Sequence, residues 1–176
     1  MKISDRIHAR KVVFAYYYQH CFFSYLKNNQ GLLSQTMSFD LVFPDDENYD
    51  ELFQAFISDI NQAFTSDMEY DIYYMIENQF SEWKNDIDRE YLKLMFAWFE
   101  ESLNTAKKSV DKHATTFKFD EMTVMDQTLF ILGIAERNII HTEKKILISE
   151  LIQIAQRFSN TWSIKLINWI LEKILE

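Results

Sequence analysis

The sequence predicts an all-α protein of about seven helices. Three observations carry this prediction. The 176 residues include only 2 glycines and 1 proline, with 48% hydrophobic and 16% aromatic residues. Strand-rich folds use Gly, Pro and Asn-Gly pairs in their turns, and phosphate-cradling loops need several glycines. Gly31 and Gly133 stand alone, which argues against a P-loop or a dinucleotide-binding fold. Apolar residues recur at steps of three and four along most of the chain, the helical period. Ser or Thr followed three residues later by an acid opens several of these segments, the pattern of a capping box.

The elements follow in order. The first helix is expected from about Ser4 to Leu26, with Ser4 or Asp5 at its N-cap, and Asn28-Asn29-Gln30-Gly31 ends it. Residues 32–46 read as a short helix or turn stopped by Pro44. From Glu47 to Phe64, Leu52, Phe53, Phe56, Ile57, Ile60 and Phe64 mark a second long helix. Ser66 with Glu69 opens the next, and Asn85 with Asp88 another, through Tyr91, Leu92, Met95, Phe96 and Phe99. Residues 104–118 read as a polar connection. Thr123 with Asp126 precedes a helix at Leu129–Ala135, Thr142 caps one with Leu147, Leu151, Ile154, Ala155 and Phe158 on its inner face, and the last spans about Thr161 to Leu175. The whole, residues 1–176, is expected to form one domain, with an N-terminal lobe over 1–118 and a C-terminal lobe over 119–176.

Charge divides unevenly. The net charge of −9 opposes nucleic-acid binding when taken whole. Residues 1–27, however, carry Lys2, Arg6, Arg10, Lys11 and Lys27 against Asp5 alone, while residues 28–106 are net −14 and residues 107–176 net +1. The acidic middle fits either a basic protein partner or a solvated face. A single cysteine, Cys21, permits no internal disulfide, so a reducing cytoplasm is expected, and its aromatic neighbours suggest a small core residue. No apolar run reaches the roughly 20 residues that span a bilayer. His8, His20, His113 and His141 are scattered, without metal-ligand spacing or a nucleophile motif. No enzyme, metal or cofactor is expected.

Two stretches invite a binding role. Lys2, Arg6 and Arg10 recur every four residues, with Lys11 beside them, and form a basic stripe on the first helix. Such a stripe can track a phosphate backbone or pair with acids of the middle segment. On the last helix, Trp169 lies in the polar sector and Trp162 close to it, flanked by Lys165 and Lys173. These tryptophans can stack unpaired bases, or they can pack on a neighbouring helix.

Both ends of the chain resemble the NusB family of transcription antitermination factors. Ala9-Arg10-Lys11-Val12-Val13-Phe14-Ala15-Tyr16-Tyr17-Tyr18-Gln19 is similar to that family's first helix, in which a tyrosine follows the arginine by eight residues. Asp126 to Glu136 resembles the family helix that ends in Tyr-Glu-Leu, Ile148-Ser149-Glu150 its Ile-Asn-Glu segment, and Lys165 to Lys173 its final helix. The chain departs from the pattern at Ile131, Ala135, Glu143, Ser149, Trp162 and Trp169, the last replacing a glycine.

The resemblance implies a pair of three-helix bundles with a leading basic helix. It implies binding of single-stranded, boxA-type RNA together with the ribosomal protein NusE, in a transcription complex with RNA polymerase. Lys2, Arg6, Arg10 and Lys11, with Lys165, Trp162 and Trp169, are the expected RNA-binding residues. Tyr18, Asp126 and Glu136 are the expected partner contacts. A homodimer is an assembly that the sequence leaves open.

Overall fold

The computed structural model describes residues 3–28, 68–158 and 161–175. The elements predicted over 32–64, the Ser66 cap and Lys2 lie outside the described residues, as does the side chain of Trp162. Among the described residues the structure has seven α-helices and no strand: α1 (Ile3–Asn28), α2 (Met68–Tyr74), α3 (Arg89–Ala97), α4 (Phe99–His113), α5 (Val124–Ala135), α6 (Lys144–Phe158) and α7 (Thr161–Ile174).

The capping residues explain several boundaries. Thr123 accepts a hydrogen bond from the Asp126 backbone N–H at 3.2 Å and opens α5, five residues before the apolar run begins. Asp88 accepts from the Tyr91 backbone N–H at 3.0 Å and caps α3. The cap is therefore Asp88 itself and not Asn85. Residues 104–113 belong to α4, where a polar connection was expected. Their buried side, Ala106 and Val110, is narrow, so polar residues dominate the local sequence although the helix continues. Thr142 does not cap α6; its hydroxyl turns inward to Glu136.

Helix α5 is the centre of the molecule. Leu129 to Ala135 are all buried, and α1, α4, α6 and α7 pack around them. One continuous apolar cluster joins residues from both sides of position 118, from Ala9 on α1 to Leu175 beyond α7. Gly133 marks the closest approach: a Cβ there would lie 3.0 Å from Leu151 Cδ1 and 3.2 Å from Leu171 Cδ2. Its lack of a side chain lets α6 and α7 seat on α5 together. Tyr17 belongs to the same core and donates its hydroxyl to the Met95 carbonyl at 2.6 Å. Cys21 is buried, as expected of a small core residue, and burial pushes its thiol up to about 12.

Two helices end in a π-helical turn. Met75–Gln79 follows α2 and leads through Phe80 into a tight turn at Ser81–Trp83. Glu136–Ile140 follows α5 and stops at His141, whose φ of 58° is left-handed. The extra residue in such a turn changes the direction in which side chains leave the helix. Both turns flank the region described next.

Candidate nucleic-acid interface

The first turns of α1 are tied to the loop before α3. Arg6 Nε donates to Asp88 Oδ2 at 3.0 Å, and its guanidinium lies 4.4 Å from the centre of the Tyr91 ring. The Asp88 backbone N–H reaches the Asp5 carbonyl at 3.3 Å. His8 stacks on Trp83 with ring centres 4.6 Å apart, and Lys11 Nζ sits 4.9 Å from the same ring. Arg6 and Lys11 are thus held by specific partners.

Arg10 has the most demanding environment. Its Nε donates to Glu136 Oε2 at 2.8 Å and its Nη2 to Glu136 Oε1 at 2.6 Å, while Nη1 donates to Glu150 Oε2 at 3.0 Å. Glu136 is completely buried. Its oxygens also accept from the Tyr91 hydroxyl and the Thr142 hydroxyl, each at 2.9 Å. All the demands of a buried carboxylate are met by four donors, which is what makes such burial tolerable. Burial by itself lowers the pKa of the Arg10 guanidinium, but Glu136 outweighs it and holds the group above its ordinary value. Burial, then Glu136, pushes the Tyr91 hydroxyl well up.

This corrects three expectations. Arg10 is 5% exposed, so it is not part of an open basic stripe, and its partners come from α6 and the turn after α5 instead of the acidic middle. Glu136 has no surface to offer a partner. Asp126, also buried, sits at the N-terminus of α5; burial raises its pKa and the Thr123 hydrogen bond partly offsets this.

A groove of about 550 Å³ opens beside this network. One wall is a face of α1: Ile7, Arg10, Lys11, Phe14, Ala15 and Tyr18. The facing wall is α6, with Glu150, Gln153, Ile154 and Arg157, and Phe80 and Trp83 come from the turn after α2. Steps of three and four put each helical set on a single face. Tyr18 stands half-buried in a row with Phe14 and Phe22, its ring centre 6.3 Å and 6.0 Å from theirs. Lys11 and the exposed Arg157 bring positive charge to a mostly apolar and aromatic cleft.

The structure therefore brings Arg10, Lys11 and Tyr18 together and leaves other expected residues elsewhere. Arg6 is near the groove but engaged with Asp88 and Tyr91. Lys165 and Trp169 are exposed on the outer side of α7, and among the described residues none of α7 lines the groove. Sequence reasoning missed Phe80, Trp83 and Arg157. Arg157 was detectable, because it follows Glu150 by seven residues on one helix face. Phe80 and Trp83 were not, since a short turn with no amphipathic period delivers them.

The model of the NusB family matches residues 51–176. The chain belongs to the NusB family. The match begins within the acidic middle and leaves α1 outside. The NusB-type resemblance at Ala9–Gln19 thus rests on the sequence pattern alone. No curated protein and no solved structure matches the chain. Among the described residues no helix is long and apolar enough to cross a membrane, and no cluster of His, Cys, Asp and Glu could hold a metal ion.

Proposed function

We propose that this NusB-family protein binds single-stranded, boxA-type RNA together with NusE, as a non-enzymatic antitermination factor acting on RNA polymerase in the cytoplasm. The observation that carries the reading is the groove between α1 and α6. It combines aromatic rings with Lys11 and Arg157 at its edge. Single-stranded nucleic acids are held by this combination, bases against aromatic faces and phosphates against cations. Arg6 extends the same side toward the N-terminus of α1, and Lys2 precedes it in the sequence. The acidic middle supplies the charge that a basic protein partner recognises.

Filter binding of a U-rich single-stranded RNA, with and without NusE, tests this. Replacing Lys11 and Arg157 together by Gln weakens binding and flattens the log–log salt slope by about 0.7 per lost phosphate contact. Absence of binding at low salt, even with NusE, refutes the reading.

A second reading has its own support. Arg6 and Arg10 are already paired with carboxylates, and the net charge is −9. Both suit a helical protein-interaction module that has lost RNA recognition. Capture of NusE with no measurable RNA affinity favours this alternative.

A further inference from the structure

Arg10 carries one positive charge and meets two carboxylates. Glu136 takes Nε and Nη2 in a side-on pair, is wholly enclosed, and has four donors on its two oxygens. That pair is electrically complete. Glu150 adds a second carboxylate at Nη1, 3.0 Å away, and its side chain retains 25% exposure. Arg10 and Glu150 both line the groove. With the carboxylates ionised, the three groups carry one net negative charge on the wall that Lys11 and Arg157 make attractive to anions. The guanidinium offers the same N–H geometry to a phosphate oxygen as to a carboxylate oxygen.

We propose that Glu150 occupies, from within the chain, the position at Arg10 Nη1 that a phosphodiester oxygen takes when the groove is loaded, and thereby sets the groove's affinity for anions. This rests on the RNA reading above. Loading turns the Glu150 side chain toward solvent, while Glu136 keeps the guanidinium in place. Little additional ordering of Arg10 is therefore required at binding. The two carboxylates divide the work: the enclosed one orients Arg10, and the accessible one competes for its remaining edge.

The test uses the full chain and a 12-nucleotide U-rich single-stranded RNA at low salt, with urea midpoints measured in parallel. Glu150→Gln removes the charge, and Glu150→Asp keeps it but withdraws it from Nη1. Glu101→Gln changes net charge equally at an exposed site on α4, away from the groove. Glu150→Gln and Glu150→Asp are each expected to bind about threefold to tenfold tighter, the scale of one partly exposed ion pair, and Glu101→Gln to match the parent.

Parent-like or weaker binding by Glu150→Gln, with the parent still binding RNA, overturns the proposal and leaves the RNA reading standing. Equal gains in Glu150→Gln and Glu101→Gln also overturn it, because net charge alone then explains the effect. A gain in Glu150→Gln without one in Glu150→Asp overturns the occupancy of Nη1. No RNA binding by any of the four chains overturns both this proposal and the RNA reading.

Discussion

Helices α1 and α7 make the same offer as sequences: lysines or arginines beside aromatic residues on an amphipathic helix. Their surroundings differ. Along α1, Arg6, Arg10 and Lys11 are held by Asp88, Glu136 and Trp83, and a neighbouring helix and turn close a groove against them. On α7, Lys165 and Trp169 project from an outer face, with Trp169 47% exposed, while Ile167, Ile170 and Leu171 bury the inner one. A binding surface needs positioned groups opposite a second wall. Helix α1 has that second wall, and the outer face of α7 has none among the described groove residues. The tryptophan that replaces the family's glycine at position 169 is accommodated because that position points away from the α5–α6 contact.

The contrast can be broken or sharpened by measurement. The largest effect is expected at Glu136→Ala, which leaves the Arg10 charge buried without its main partner and strips the Tyr91 and Thr142 hydroxyls of their acceptor. A loss of about 3–5 kcal/mol in urea unfolding is expected, as for a broken buried pair. A loss below about 1 kcal/mol would show that the network is not a structural centre.

Next is Gly133→Val, on α5 where the inner side of α7 packs against it. Its new methyl groups collide with Leu151 and Leu171, and about 1–3 kcal/mol of stability is lost through overpacking. A variant as stable as the parent would mean that α6 and α7 are less closely seated on α5.

On the α1 side, His20 packs against Tyr16 and Phe99, and burial pushes its pKa down to about 4. The unfolded chain binds this proton near pH 6.5. Stability from the neutral ring is therefore complete above pH 6.5 and is lost as pH falls toward 4. At pH 5 the loss is about 2 kcal/mol. Unfolding at pH 7 and pH 5, compared between the parent and His20→Gln, checks this: the variant's dependence should be flatter, and equal slopes contradict it. The smallest effect is expected at Trp169→Ala. Stability should change by less than about 0.5 kcal/mol, and RNA binding should stay as in the parent. A clear loss of RNA affinity would move the interface to α7 and reverse the comparison.

Much of this was legible in the residues. The run Leu129 to Ala135 predicts a helix, and Thr123 announces its start, because a helix period and a cap are local properties. The polar look of residues 104–113 misled, since two small buried residues suffice to seat a helix whose other faces are wet. For the site, Lys11 came from the basic spacing of the first helix, and Tyr18 only from the family resemblance, as an expected partner contact. The role of Arg10 was not, because its partner Glu136 lies 126 positions away and nothing local distinguishes a buried arginine from an exposed one. Phe80 and Trp83 escaped because they sit in and beside the short turn after Gln79, which has no amphipathic period to read.

By itself the sequence determined the helical class, most described helix positions and the segregation of charge, all set by short-range periodicity, capping and composition. The tertiary structure decided which charges are neutralised, which aromatic residues face a cleft and which helix has an opposing wall. Those outcomes depend on distances between residues far apart in the chain, and burial changes the energy of a charge more than any feature of its local sequence does.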